Sequence, residues 1–156
     1  DLYSTIEEAK ADSTGLFMLR YFFDKGILEG GQANEKKLYD TFLASAFRTL
    51  RFGIHEAHGR GMALQFNFLT DQGAFVERPD GGFEVNYTKV KNAIRDLTQH
   101  LLTIEAQGDY AAAKSMLDQL GVLRPSVAAA LQKLKNIPVD IRPIFVTADE
   151  LTRNRQ

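Results

Sequence analysis

The chain has 156 residues, with 19 Lys plus Arg against 20 Asp plus Glu, a formal net charge of −1 and no cysteine. Charge this close to balance supplies no field to draw the chain to nucleic acid or an anionic membrane, and no apolar run approaches the roughly 20 residues that span a bilayer. The absence of thiols excludes disulfides, cysteine nucleophiles and thiolate metal sites, and the expectation is a soluble, cytoplasmic protein with a core that hides roughly 70% of the unfolded surface.

A chain that opens at Asp1 in mid-pattern reads as a segment of a larger polypeptide, organised as one helical domain over 1–156. Ser4-Thr5-Ile6-Glu7 has the Ser-x-x-Glu form of a capping box and predicts a helix from Thr5 to Lys25, closed by Gly26. Asn34 is the next candidate N-cap, followed by Leu38, Phe42, Leu43, Ala46, Phe47 and Leu50 at helical spacing, with an end near Phe52-Gly53. A third helical segment, Ile54 to Gln72, contains Gly59 and Gly61, each costing roughly 1 kcal/mol relative to alanine inside a helix. Close approach of another backbone, or of a ligand, would compensate. Pro79-Asp80-Gly81-Gly82 between two short β-prone runs predicts a hairpin within Ala74–Val85.

The helical pattern resumes from Tyr87 and runs to Gly108. Asp109 caps a fifth helix ending at Leu120-Gly121, and Pro125-Ser126 open a sixth to Asn136. Pro138 and Pro143 predict an extended strap over Ile137–Val146, with a last short helix starting at Thr147. The expected fold is therefore mainly α, with about six helices, one short β-hairpin and an extended C-terminal strap.

On a helical wheel of about 100° per residue, Asp12, Gly15, Leu19, Phe22 and Phe23 lie within roughly 60° of Glu8. The two carboxylates head a stripe that turns apolar, and a carboxylate held in apolar surroundings takes a cation, a metal or a proton. A solvated helix end, or pairing with Lys or Arg of a neighbouring helix, is the alternative. His55-Glu56-Ala57-His58 offers two imidazoles three residues apart, where the helical zinc pair needs four; a metal site and an ordinary hydrogen-bonded pair both remain open.

Glu7-Glu8-Ala9-Lys10-Ala11-Asp12, followed by Gly15-Leu16, resembles the Glu-Glu-Cys-Arg-Ala-Glu motif of the dipeptidyl peptidase III family of zinc metallopeptidases. That resemblance implies Glu8 as the third protein ligand of a catalytic zinc, Glu7 as the residue orienting a zinc-binding histidine, and Asp12 as a further supporting carboxylate. Lys10 stands where the family has Arg, and lacks its planar fork. Glu56-Ala57-His58, with His58 50 positions after Glu8, is similar to the family's Ala-His-containing helix, and implies that His58 stabilises the transition state at the substrate carbonyl. Met62 replaces the arginine expected four residues later, with Arg60 nearby. Gly59, Gly61, Gln65 and Asn67 resemble the branch of the family in which a nudix (MutT-like) hydrolase domain is fused upstream.

The family's His-Glu-x-x-x-His or His-Glu-x-x-His motif, source of two zinc ligands and the general base, is absent here. The resemblance therefore implies the C-terminal helical part of a zinc-dependent hydrolase of oligopeptides, completed by an upstream part of the same polypeptide and inactive without it. No zinc is expected in the isolated segment. The alternative is a non-catalytic helical scaffold of a nudix-family fusion. Apolar surface at Leu19 and Phe23, made to meet that upstream part, would also favour a homo-oligomer.

Overall fold

The computed structural model describes residues 2–138, Phe145 and Thr147. Among them are six helices and one two-stranded hairpin: α1 (Leu2–Asp24), α2 (Gly31–Leu50), α3 (Ala57–Asp71), β1 (Phe75–Glu77), β2 (Phe83–Val85), α4 (Val90–Gln107), α5 (Tyr110–Leu120) and α6 (Pro125–Lys133). The strap and final helix expected beyond Pro138 fall almost wholly outside the described residues. No described helix is long and apolar enough to cross a membrane.

Helix α3 is the centre of the arrangement. Ten of its fifteen residues are buried, which a helix achieves only when neighbours surround it on every side. Met62, Phe66 and Leu69 join Leu43, Leu50, Phe75 and Ile94 in one apolar cluster shared with α2, the hairpin and α4. Leu64 and Phe68 join Ile6, Leu97, Leu101 and Leu117 in a second, shared with α1, α4 and α5. Phe66 is the hub of the first, with ring centroids 5.4 Å from Phe47, 5.3 Å from Phe75 and 5.1 Å from Phe83. Tilted and edge-on pairs of this kind add about 0.5–1.5 kcal/mol each beyond area burial, enough to fasten the small hairpin to α2 and α3.

The hairpin is antiparallel, with Phe75 opposite Val85 and Glu77 opposite Phe83. Its turn is closed by Arg78 N–H donating to Gly82 O at 2.8 Å and by Gly82 N–H donating to Asp80 Oδ1 at 2.8 Å; Gly81 supplies the left-handed backbone, φ +70°. Asp109 caps α5 as expected, its Oδ1 accepting Ala112 N–H at 2.9 Å, and Pro125 opens α6.

Five boundaries differ from the sequence expectation by three residues or more; α4 starts at Val90 rather than Tyr87, and α6 ends at Lys133 rather than Asn136. Helix α1 is already formed at Ser4, because Leu2 packs on the Ile6 cluster and carries the helix past the capping signal. Helix α2 starts at Gly31 behind Gly30 (φ +90°), while Asn34 reaches back to donate to Glu29 O at 3.0 Å. Helix α3 starts at Ala57, so Ile54, His55 and Glu56 belong to the connector.

An ionic clamp with its buried end at Glu35 and Tyr39 ties α1, α2 and α4 together. Tyr39 Oη donates to Glu35 Oε1 at 2.7 Å, Lys91 Nζ lies 2.8 Å from Glu35 Oε2, and Lys91 also reaches Asp24 Oδ1 at 3.2 Å. Burial works against the Lys91 ammonium, but its bonds to Glu35 and Asp24 outweigh that and raise its pKa.

Candidate functional site

The α1–α3 crossing brings the motif residues together, and Gly61 makes it possible. A Cβ at Gly61 would stand 3.0 Å from Thr5 O, 3.3 Å from Glu8 Cβ and 3.4 Å from Ala9 N, so a larger residue would push the backbones of α1 and α3 apart by a few tenths of an ångström. Gly59, two residues earlier, lets α3 lie against the preceding connector: its Cβ would fall 1.8 Å from Gly53 O. The close backbone approach expected at both glycines is thus present.

With the helices so placed, His58 Nδ1 on α3 lies 3.0 Å from Glu8 Oε1 on α1. The side chains are 74% and 36% exposed, so this is a surface contact worth about 0–1 kcal/mol. Its interest is position: an imidazole and a carboxylate from distant parts of the chain share one edge of the molecule. A ring bound to Glu8 through Nδ1 keeps Nε2 for another partner.

One turn along, Gln65 Nε2 donates to Asp12 Oδ2 at 3.0 Å. Gln65 is 1% exposed, and its Oε1 is buried with no hydrogen-bond partner. Sequence reasoning singled out Asp12 and marked Gln65 only by its resemblance to the nudix-fused branch, not as the amide that holds Asp12. Asn67, equally buried, donates to Leu120 O at 2.7 Å and Val122 O at 2.9 Å, anchoring the α5–α6 connection to α3. Polar side chains on a helix surrounded by neighbours need such partners.

Glu7 goes elsewhere. Its Oε1 is 2.6 Å from Lys10 Nζ, which also meets Glu105 Oε2 on α4 at 2.7 Å. Lys10 first, and Glu105 second, hold the Glu7 carboxyl below its ordinary pKa, while Glu105 and Glu7 raise that of Lys10. Arg60 and Met62 add nothing to the Glu8–His58 edge. Arg60 Nη2 turns to Asp118 Oδ1 on α5 at 3.6 Å, and Met62 is 6% exposed in the core.

His55 precedes α3, so the two imidazoles do not share a helix face. Instead His55, Glu56 and His58 line a cleft of about 570 Å3 with Arg48 of α2 and Phe52 of the connector that follows it. His100 stacks edge-on against Phe68 at 5.7 Å and its Nδ1 lies 2.8 Å from Asp96 O, a local role on α4. Among the described residues, no three His, Asp or Glu side chains form a group able to hold a metal ion. Glu8 is thus at most one member of a donor set.

The stripe of Glu8, Asp12, Gly15 and Leu19 does not enter the core, contrary to the reading from the wheel. The face of α1 that does so is Ile6, Ala9, Ser13 and Leu16; Asp12 and Gly15 are exposed and Leu19 is 36% exposed.

Two solved structures share this arrangement. DPP III from Caldithrix abyssi superposes with a TM-score of 0.90 at 44% identity, over 97% of this chain and 29% of that one. Dipeptidyl-peptidase III from Corallococcus sp. strain EGB gives 0.87 at 50% identity, over 98% of this chain and 28% of that one. This chain is similar to one part of dipeptidyl peptidase III. A curated relative, Nudix hydrolase 3 of Arabidopsis thaliana, is 40% identical over 153 residues, which are 97% of this chain and 20% of that protein. No protein-family model matches. The chain therefore spans between a fifth and a third of the length of these three proteins.

Proposed function

We propose that this chain is the C-terminal helical part of a zinc-dependent dipeptidyl peptidase III-like hydrolase, inactive alone, and that Glu8 is the third zinc ligand and His58 the substrate-facing catalytic residue. The observation that carries the reading is the 3.0 Å contact between Glu8 Oε1 and His58 Nδ1 across the glycine-tight α1–α3 crossing. The residues present fit a zinc site in part: Glu8 is a hard oxygen donor at an accessible edge, and the remaining donors come from a His-Glu segment of a longer polypeptide. The metal, when bound, supplies Lewis-acid polarisation and a more acidic water.

The rest belongs to this chain's side chains. His58, 74% exposed, turns from Glu8 to donate a hydrogen bond to the scissile carbonyl of an oligopeptide as negative charge develops on its oxygen. Asp12, steadied by Gln65, supports the donor side of the site one turn from Glu8. An orienting role for Glu7 requires it to turn from Lys10, which now holds it. The cleft beside His58 gives the peptide a place to lie.

The test is made on the full-length polypeptide. The wild type should hold about one zinc per chain by plasma mass spectrometry and release N-terminal dipeptides; Glu8→Ala should lose both, whereas His58→Ala should keep the metal and lose roughly 10²–10³-fold in kcat. Full zinc and full activity in Glu8→Ala would sink the assignment. The relative named Nudix hydrolase 3 favours a second reading, a helical scaffold whose carboxylates serve structure alone; a full-length protein that purifies without zinc and does not cleave peptides would select it.

A further inference from the structure

Around α1, at about 100° per residue, Glu7 stands between Glu8 and Lys10, roughly 100° from the first and roughly 60° from the second. Its carboxylate can therefore lean to either side. In the structure it leans to Lys10, with Oε1 2.6 Å from Nζ, and Tyr3 also bonds to it from one turn earlier. The same ammonium meets Glu105 Oε2 of α4 at 2.7 Å, so one cation is divided between two carboxylates.

The two claims on Lys10 are unequal. Glu105 is 24% exposed at its side chain and Glu7 35%. The other Glu105 oxygen, Oε1, is buried and has no hydrogen-bond partner, which carries a desolvation cost for as long as it lasts. An ammonium has three N–H donors on a flexible stem, so Lys10 can serve both oxygens of Glu105 once Glu7 leaves. Glu7, the more exposed carboxylate, exchanges a surface ion pair for water and loses little by leaving. The triad therefore has two arrangements: Lys10 shared, or Lys10 held by Glu105 alone with Glu7 turned to the Glu8 edge.

We propose that Glu105 is a positioning residue for the metal site: it competes with Glu7 for Lys10 and so frees Glu7 to accept the ring N–H of a zinc-binding histidine. The proposal rests on the zinc-site reading above, and adds to it a residue of α4 far from the acidic motif in sequence. A carboxylate bonded to a ligating imidazole fixes its tautomer and orientation, and loss of such a partner costs about 10–100-fold in metal affinity. Without Glu105, Lys10 keeps Glu7 for itself and affinity falls although no ligand has been touched. Removal of Lys10 has the opposite sign, because nothing then draws Glu7 away.

The experiment measures the zinc affinity of the full-length polypeptide by competition with a chromophoric chelator. Glu105→Gln should bind zinc about 10-fold more weakly than the wild type. Lys10→Met should bind it no more weakly, and the double variant should return to within about twofold of the wild type. If the triad only ties α1 to α4, both single variants weaken zinc binding alike and the double variant is no better than either; that pattern would overturn the proposal. Lys10→Met binding more weakly than the wild type overturns it whether or not Glu105→Gln folds. So does wild-type affinity in Glu105→Gln beside a Glu8→Ala variant that loses its zinc. Zinc retained in Glu8→Ala removes the metal assignment itself, which sets that failure apart from a failure of the Glu105 role.

Discussion

Replacing Gly59 by alanine adds one methyl group at a point 1.8 Å from the carbonyl oxygen of Gly53 and 2.9 Å from its carbon. Unstrained contacts between heavy atoms lie near 3.5–4.0 Å, so a relief of well over 1 Å is needed. The obstacle is main chain and cannot swing aside as the tip of a lysine would. Gly53 is itself fixed, at φ +94° with its N–H donating to Leu50 O at 3.0 Å. Alanine gains about 1 kcal/mol in helix propensity, while overpacking costs about 1–3 kcal/mol, here at the upper end. The net loss is therefore about 2 kcal/mol, which for a chain of this size lowers the Tm by about 4–8 °C. Thermal unfolding followed by circular dichroism measures it. The displaced connector also carries His55 and Phe52, so the cleft beside His58 should change shape with it. A Gly59→Ala chain as stable as the wild type would refute the reasoning that backbone contact, not chance, keeps this position a glycine.

Lys91→Met should cost about 2–3 kcal/mol in urea unfolding, less than a fully buried pair because Lys91 is 33% exposed and Tyr39 still donates to Glu35, whose side chain is 5% exposed. Adding Glu35→Gln should recover part of the loss, and a double variant no better than the single would show that the clamp is not an electrostatic unit. At the α3–α6 contact, Arg124 holds the Asp71 carboxyl below its ordinary pKa through bonds of 2.5 and 2.8 Å. A depressed carboxylate contributes stability that is complete above the unfolded pKa of about 4 and is lost as the pH falls through the folded one. Asp71→Asn should therefore flatten the fall in denaturation midpoint on going from pH 5 to about pH 2, and an unchanged slope would exclude Asp71 from the acid transition.

The pieces of the fold written in local chemistry were legible. Asp109 before an apolar run, Pro125 opening α6, Gly108 in the left-handed conformation and Pro79-Asp80-Gly81-Gly82 between β-prone runs all occupy the places their backbone preferences dictate. The Glu8–His58 meeting was legible only through family resemblance together with the two glycines of α3. Spacing could not fix the rotation of α1 about its axis. Ile6, Ala9, Ser13 and Leu16 form as good a stripe as Glu8, Asp12, Gly15 and Leu19, and the choice is made by α3 and α4, which pack on the former. Partnerships between distant residues, such as Gln65 with Asp12 or Lys91 with Glu35, leave no periodic trace because each is a single side chain meeting another after the helices have assembled. Arg60 shows the same limit in reverse: proximity in sequence to His58 did not prevent α5 from claiming it.

The clamp at Glu35 also gives the chain a built-in spectroscopic reporter. There is no tryptophan, and of the five tyrosines only Tyr39 is buried; Tyr3, Tyr21, Tyr87 and Tyr110 are all exposed. Burial, and then the bond to Glu35, push ionisation of the Tyr39 phenol far above the usual range. In an alkaline ultraviolet titration the Tyr39 phenolate should therefore arrive only with unfolding, so that its absorbance reads whether α1, α2 and α4 remain joined.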